Sequence, residues 1–181
     1  MKERQLITAC QKQHRKAQRV LFDRYYKSIF RLARRYLVDF HHTEDVVLIV
    51  FNKALKYINR LEYRGEGSLQ KWLNTIAINE SIRALKKVKT VYYQEEMEVQ
   101  MTTSEATIDL DVEQVYHIIA SMPEGYRTVF NLYAIDEYTH SEIAELLGIS
   151  RNTSKSQLLK ARRFIIQALN QQQHHEQQKI R

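Results

Sequence analysis

Residues 139–163 read THSEIAELLGISRNTSKSQLLKARR, and this stretch decides the fold of the second half of the chain. Thr139 followed three residues later by Glu142 is a capping box, a reciprocal pattern that begins a helix. Gly148 stands where that helix would end in a left-handed cap, and Ser150 would cap a second helix. A short helix, a glycine-containing turn and a longer helix together predict a helix-turn-helix.

The second helix of this unit, predicted over residues 151–169, has the composition of a helix that binds DNA. No acidic residue occurs from 146 to 175, and Leu158, Ala161 and Ile165 lie on one side. Amide and guanidinium groups pair with base edges in a major groove, and ammonium groups pair with phosphates. The other faces carry Arg151, Asn152, Lys155, Ser156, Lys160 and Arg163. The alternative is a cationic amphipathic helix that binds no nucleic acid.

The composition indicates an all-α chain. Its 181 residues include four Gly and one Pro, whereas average usage predicts roughly 22 such residues. Hairpins and β-corners depend on these two residues, so a sandwich, barrel or meander is disfavoured. The single cysteine, Cys10, excludes an internal disulfide. The N-terminus lacks a secretory signal, and the longest apolar run, Val46–Phe51, is too short to cross a bilayer. We therefore expect a cytoplasmic protein.

Charge divides the chain into parts that we interpret as domains. Residues 1–90 carry 20 basic and 8 acidic side chains, whereas residues 91–112 carry 6 acidic and no basic ones. We predict helical domains over 1–90 and 113–170, an acidic linker over 91–112 and a frayed polar tail over 171–181. A basic front half favours a polyanion as partner, because cations placed on phosphates release counterions. A solvated surface with a cationic bias is the alternative.

In the front half, apolar residues at helical spacing predict helices over 17–37 and 44–60. Thr43 is the expected N-cap of the second helix. This assignment leaves two neighbouring aliphatic side chains, Leu48 and Ile49, on its outer face. Such a pair is either ordinary scatter or part of a protein-docking patch, and both interpretations stay open. The patch would consist of Asp45, Leu48, Ile49 and Asn52.

A loop with two glycines, LEYRGEGSL over residues 61–69, precedes the next predicted helix, 69–87, which Ser68 would cap. We expect Trp72 to be buried in the core of the domain rather than to serve as a platform for base stacking. Tyr63 is equally suited to the core and to base stacking. The side chains of this region that can pair with bases or phosphates are Tyr63, Asn79, Arg83, Lys86 and Lys87.

The histidines and carboxylates form no recognisable catalytic motif. The sequence His41-His42-Thr43-Glu44 contains metal-ligand types, but adjacent histidines point apart on regular structure and no HExxH spacing occurs. There is also no Walker-type loop, no dinucleotide-binding glycine loop and no nucleophile motif. We therefore expect no catalytic residue, no metal, no cofactor and no small-molecule substrate.

The two halves in this order resemble an alternative sigma factor of the extracytoplasmic-function type, which has sigma regions two and four. The front resemblance runs over residues 17–89, through RRYLVDFHHTEDVVLIVFNKAL and EGSLQKWLNTIAINESIRALKK. The back resemblance runs over 112–169, through SMPEGYRTVFNLYAIDEYTHSEIAELLGISRNTSKSQLLKARR. Both motifs in this order, separated by a short acidic linker, are far more specific than a helix-turn-helix alone.

The resemblance implies that the chain binds core RNA polymerase and promoter DNA. In the family, the helix that contains Asp45 docks on the polymerase, although Leu48 and Ile49 here replace a polar pair. The loop and the Trp72 helix would capture and melt the minus-ten element, with Asn79, Arg83 and Lys86 matching the DNA-contacting positions. The resemblance further implies an anti-sigma protein, often anchored in a membrane.

The second helix of the helix-turn-helix would accordingly bind the minus-thirty-five element. Thr153, Lys155 and Ser156 match the family's residues in that helix, and Thr153 thereby joins the DNA-binding candidates. Ser154 stands on the packing face where the family usually has an apolar residue, so we expect weaker seating of the helix.

Two functions of other classes stay open at this stage. A helix-turn-helix regulator that works without polymerase would bind specific duplexes as the free protein, but it leaves the docking patch and the glycine-containing loop unexplained. An enzyme would need a cluster of histidines or carboxylates, which the sequence does not supply.

Overall fold

The computed structural model describes residues 1–92 and 110–179, with side chains over 1–87 and 115–170. Within these ranges the chain is helical and contains no strand, as the composition predicts. The chain divides into two compact units, Met1–Thr102 and Thr103–Arg181. The helices of the first unit are α1 (Glu3–Gln11), α2 (Arg15–Leu37), α3 (Phe40–Tyr57) and α4 (Ser68–Tyr92). Those of the second are α5 (Leu110–Ser121), α6 (Glu124–Phe130), α7 (His140–Leu147) and α8 (Arg151–Lys179).

The first unit is built around α2, α3 and α4, each of which packs against the other two. Their apolar residues recur every three to four positions, so each helix turns one stripe toward the others. The side chains with no exposure include Leu21, Ile29, Tyr36, Val47, Val50, Leu69 and Leu73. Burial of each such side chain contributes about 1.5–3 kcal/mol to the free energy of folding, so these apolar stripes stabilise the unit.

The start of α3 differs from the prediction, and Thr43 is not its N-cap. Val38 has a φ of 63°, which ends α2, and Asp39 then caps α3 by accepting a hydrogen bond from the His42 amide at 2.8 Å. Thr43 lies one turn inside the helix and is fully buried. The helix ends at Tyr57 and continues as a single 3₁₀ turn, Ile58–Arg60.

The second unit contains the predicted helix-turn-helix. Thr139 and Glu142 form both hydrogen bonds of the capping box at the start of α7. Gly148 closes that helix with φ 69° and ψ 37°, the left-handed cap. Helices α5, α6 and α7 each pack against α8. These observations confirm the predicted order of a short helix, a glycine turn and a longer second helix, α8.

A buried arginine links α6 to the end of α5. Arg127 of α6 donates hydrogen bonds to the carbonyl oxygens of Met122, at 2.8 Å, and of Ala120, at 3.2 Å. Burial lowers the pKa of its guanidinium. Its contacts satisfy carbonyl groups at the end of α5 that would otherwise lack a partner. The apolar cluster beside it contains Ile119, Met122, Tyr126, Phe130, Ala161, Phe164 and Ile165.

The helices extend past the predicted domain edges. Helix α4 continues to Tyr92 and α5 begins at Leu110, so both ends of the predicted linker over 91–112 are helical. Its remainder, 93–109, lies outside the described residues. The predicted frayed tail is also wrong up to residue 179, because α8 continues to Lys179. That stretch is rich in glutamine, a good helix former, and contains neither Gly nor Pro. Among the described residues, no helix is long and apolar enough to span a bilayer.

Candidate nucleic-acid interface

Helix α8 begins with a local cap that fixes its first turn. The Ser150 hydroxyl accepts a hydrogen bond from the Thr153 amide at 3.0 Å and lies 2.8 Å from the Thr153 hydroxyl. Ser150 is therefore the N-cap, as predicted. Thr153 is half-buried, and its hydroxyl is engaged by this cap. The other residues predicted to face DNA are exposed, namely Arg151, Asn152, Lys155, Ser156, Lys160 and Arg163.

The packing face of α8 contains a polar contact at Ser154, the residue that was expected to weaken the seating of this helix. Ser154 is fully buried, and its Oγ lies 2.9 Å from Nδ1 of His140, the first residue of α7. The His140 ring stacks on Tyr133, with centroids 4.5 Å apart and planes 21° apart. Because the buried hydroxyl has a partner, the serine links α8 to α7 rather than leaving an unsatisfied group.

The pKa of His140 depends on the positive charge of α8. Burial lowers its pKa, and the cations of Lys155, Arg151 and Arg162 lower it further. All three cations belong to α8, so the ring reports on the same electrostatic field that would meet a phosphate backbone. A bound polyanion would offset the effect of these cations on the pKa of His140 and leave the effect of burial unchanged.

A groove of about 430 Å³ lies on the first unit between the end of α3 and the middle of α4. It is lined by Lys53, Tyr57, Arg60, Trp72, Ile76, Asn79, Glu80 and Arg83. The lining contains three cations and one carboxylate, together with two aromatic rings. Cations that follow a backbone and rings that receive bases are the usual features of a site for single-stranded nucleic acid.

The carboxylate of Glu80 orders the cations of this groove. Glu80 is only 8% exposed, and its two oxygens accept from Arg83 Nη1 at 2.6 Å and from Lys53 Nζ at 2.8 Å. A buried carboxylate held between two cations keeps both at fixed positions on α3 and α4. The groove therefore presents ordered positive charge on both of its walls.

Aromatic rings of the groove were largely missed by sequence reasoning. The Arg60 guanidinium carbon lies 4.8 Å from the Tyr57 ring centroid, and Lys56 Nζ lies 5.5 Å from the same centroid. Trp72 is half-buried rather than in the core, so the expectation for this residue was wrong. The cluster of an aromatic with flanking cations at 56–60 was the signal available in the sequence.

The structure brings together only part of the predicted minus-ten set. Asn79 and Arg83 line the groove. The amide nitrogen of Asn79 donates to the Thr75 carbonyl at 2.9 Å, which leaves its side-chain oxygen for other partners. Tyr63 is half-buried in the loop before α4, where the Arg4 guanidinium carbon lies 5.9 Å from its ring centroid. Lys86 and Lys87 are exposed farther along α4 and do not line the groove.

A separate surface on α3 carries the predicted docking patch. Leu48 is 53% exposed and Ile49 is 42% exposed, as the helical spacing predicts. Asp45 and Asn52 are exposed one turn before and one turn after this pair. Residues at these spacings share one face of a helix, so the four side chains form a single surface.

The histidines near the start of α3 lie beside single carboxylates on the surface. His42 Nδ1 lies 3.2 Å from the Asp39 carboxylate, and His41 Nδ1 lies 3.9 Å from that of Glu44. Within the described side chains, no group of three or more His, Cys, Asp or Glu residues is arranged to hold a metal ion.

Both halves of the chain match models of known families. Sigma-70 region 2 matches residues 21–90, and Sigma-70 region 4 matches residues 112–165. The chain is 29% identical over 158 residues to the ECF RNA polymerase sigma factor SigW of Bacillus subtilis, covering 78% of this chain and 83% of the relative. It is 25% identical over 175 residues to the ECF RNA polymerase sigma-E factor of Haemophilus influenzae, covering 88% and 91%.

Two solved structures share the fold. The sigma factor RpoE in complex with the anti-sigma factor NepR from Bartonella quintana has a TM-score of 0.56 and 18% identity, and covers 82% of this chain and 94% of its own. CnrH in complex with the cytosolic domain of CnrY has a TM-score of 0.50 and 20% identity, and covers 93% and 97%. These similarities extend over both units.

Proposed function

The chain belongs to the sigma-70 family of RNA polymerase sigma factors, and on this premise we propose that it binds core RNA polymerase and directs it to specific promoters. The observation that carries this function is the presence of regions 2 and 4 in one chain, over 21–90 and 112–165. A regulator that worked without polymerase would need only the helix-turn-helix. It would leave the match to region 2 without a role, so the sigma function is favoured.

We assign the minus-ten element to the domain predicted over residues 1–90, which lies within the first unit. The groove supplies ordered cations and the rings of Tyr57 and Trp72, and base stacking on an aromatic contributes about 1–3 kcal/mol per base. Separating one base-pair step costs about 1.4 kcal/mol on average, so captured bases can offset the cost of opening. The proposed contacts are Tyr57, Arg60, Tyr63, Trp72, Asn79, Arg83, Lys86 and Lys87.

We assign the minus-thirty-five element to the domain predicted over residues 113–170, which lies within the second unit. The first turns of α8 would enter the major groove, where polar side chains reach base edges and cations meet phosphates. The proposed contacts are Arg151, Asn152, Thr153, Lys155, Ser156, Lys160 and Arg163. The acidic stretch 91–112 would connect the two assignments as the linker.

The exposed face of α3 is our proposed docking surface for the polymerase. Its centre is apolar, through Leu48 and Ile49, and its margin is polar, through Asp45 and Asn52. This arrangement of an apolar centre and a polar rim is typical of protein interfaces.

Further parts of the proposal follow from the family. RpoE and CnrH were each solved with a partner protein, the anti-sigma factor NepR and the cytosolic domain of CnrY. We propose that an anti-sigma protein likewise restrains this chain. We also propose that the chain works in the cytoplasm with the polymerase and performs no covalent chemistry, because opening a duplex by capturing bases is binding work.

Run-off transcription tests this function. Core polymerase is incubated with fragments of genomic DNA, with and without the chain, and the transcripts are sized. We expect discrete transcripts only when the chain is present. Specific duplex binding by the free chain without any polymerase-dependent transcript would instead support the independent regulator.

A further inference from the structure

The carboxylate of Glu3 is buried against residues that lie more than sixty positions away along the chain. It is 5% exposed, with Oε2 accepting from the Gly67 amide and Oε1 from the Leu69 amide, each at 3.0 Å. The Tyr25 hydroxyl also donates to Oε2, at 3.4 Å. One side chain near the start of α1 therefore holds the residues where the loop enters α4.

These hydrogen bonds are of the strong kind. Each joins a carboxylate oxygen to a backbone amide, and both amides lie at the start of a helix, where the dipole favours negative charge. Gly65 and Gly67 have φ values of 128° and 88°, conformations that few side chains adopt. Within the loop, the Ser68 hydroxyl donates to the Gly65 carbonyl at 2.6 Å and accepts from the Arg64 amide at 3.0 Å, and Arg64 Nη2 donates to the Glu62 carboxylate at 2.9 Å.

Helix α1 contacts both ends of the connection between α3 and α4. At the first end, Gln11 Nε2 donates to the Ile58 carbonyl at 3.3 Å. At the second end, Glu3 accepts from Gly67 and Leu69 as described. Between them, Arg4 lies over the ring of Tyr63. The helix is itself fixed, because Leu6, Ile7 and Cys10 are buried beneath it.

This connection lies beside the proposed minus-ten site. Arg60 and Tyr63 belong to it, and the helix that begins at its end carries Trp72, Asn79 and Arg83. The match to region 2 starts at residue 21, after α1 has ended. The restraint therefore comes from a helix outside the matched region.

We propose that Glu3 is a positioning residue for promoter opening, whose carboxylate holds the α3–α4 connection in the shape that receives the opened minus-ten strand. The proposal rests on the function assigned to the first unit. Glu3 itself is buried and touches no DNA. Its effect is to reduce the number of loop conformations, so that capture of the strand does not have to order the loop.

The test compares Glu3→Ala and Glu3→Gln with Asp23→Asn in holoenzymes assembled with core polymerase. Asp23 is an exposed carboxylate on α2, so its substitution is a matched removal of charge. On a promoter found by run-off transcription, permanganate reactivity of minus-ten thymines measures the rate of opening. Because a hydrogen bond to a charged group is lost, Glu3→Ala should slow opening about tenfold. The opening rate of Glu3→Gln should lie between those of the wild type and Glu3→Ala, because the glutamine side-chain oxygen can accept from only one of the two backbone amides.

Three accompanying readouts separate positioning from folding. Affinity for core polymerase and affinity of the closed complex should stay close to those of Asp23→Asn. The melting temperature of the chain should fall by only a few degrees, as the loss of these hydrogen bonds requires, so that the chain stays folded at the assay temperature. Opening at the wild-type rate in Glu3→Ala overturns the inference. A parallel loss of polymerase binding and melting temperature also overturns it, because Glu3 would then be a general stabilising residue. Absence of opening with the wild-type chain would contradict the proposed function itself.

Discussion

The Oγ atom of Ser154 lies 2.9 Å from Nδ1 of His140, which joins the buried face of the recognition helix to the first turn of the preceding helix. Tyr133 stacks on a face of the same ring. The pose of α8 therefore depends on a polar contact as well as on the apolar residues Leu158 and Ala161. A polar contact has directional geometry, so it fixes the rotation of α8 more sharply than apolar packing does.

A double-mutant cycle on this pair should reveal coupling. Ser154→Ala leaves His140 Nδ1 without its hydrogen-bond partner, and His140→Phe leaves the buried Ser154 hydroxyl without its own. Each substitution should cost about 1–2 kcal/mol of stability in the second unit. The double variant should cost little more than either single variant, because the interaction is already lost. Urea unfolding of the full chain, followed by hydrogen exchange of α7 and α8 amides, provides the measurement. Strictly additive losses would show that the two residues do not interact.

The stability of the second unit should fall as the pH decreases through about 6.5. Burial and the cations of α8 lower the pKa of His140 from its ordinary value of 6.5. The unfolded chain then binds a proton that the folded chain rejects, so protonation favours unfolding over this range. Hydrogen exchange of α8, corrected for intrinsic rates between about pH 5 and 8, should show this trend in the wild type. His140→Phe should flatten it, and an unchanged slope in that variant would assign the trend to other histidines.

Lys155→Ala should weaken promoter binding through the upstream element and leave polymerase binding intact. Lys155 is exposed on the first turns of α8. Loss of a base contact would cost about 1–3 kcal/mol, and loss of a phosphate contact would reduce the salt dependence by about one charge. Titration of the holoenzyme with promoter duplexes at several salt concentrations distinguishes these two roles. Lys16→Ala, an exposed change on α2, is the control, and equal weakening by both variants would argue against the assignment.

A charge placed at Leu48 should reduce polymerase affinity without unfolding the chain. Leu48 is 53% exposed, so an aspartate there meets water in the free chain but an apolar surface in the complex. Loss of about 2 kcal/mol or more is expected if the residue is central to the interface. Val20→Asp is the matched control, because Val20 is an exposed aliphatic on α2. A circular-dichroism melt showing major unfolding of Leu48→Asp would place that residue in the core instead.

Removal of the Tyr57 ring should weaken capture of the opened strand. We expect Tyr57→Ala to lose about 1–3 kcal/mol in the affinity of the holoenzyme for a single-stranded minus-ten oligonucleotide. Tyr57→Phe should retain most of the affinity, because stacking needs the ring and not the hydroxyl. Duplex binding through the upstream element serves as the internal reference. If Tyr57→Phe is as defective as Tyr57→Ala, the hydroxyl and not stacking is responsible.

The helix-turn-helix could be predicted in detail because its signals are local. The Thr139–Glu142 box, the Gly148 cap and the Ser150 cap each act within one turn of helix, so a short stretch of sequence contains all of the determinants. The start of α3 could not be predicted in this way. It depends on the positive φ of Val38, and a branched residue in that conformation carries no sequence signal.

Only part of the groove between α3 and α4 could be predicted from the sequence, for a related reason. Asn79 and Arg83 could be found from the helical spacing of α4 alone. The roles of Tyr57 and Trp72 depend on how α3 packs against α4, and the restraint by Glu3 joins residues more than sixty positions apart. Contacts of that range are properties of the packed structure, and helical periodicity does not encode them.

Equilibrium titration of the labelled, purified chain with core RNA polymerase tests the central claim most directly. The account predicts saturable binding that Leu48→Asp weakens and Val20→Asp does not, whether or not promoter DNA is present. Failure of the wild-type chain to bind the polymerase would contradict it, even if the chain retained affinity for DNA.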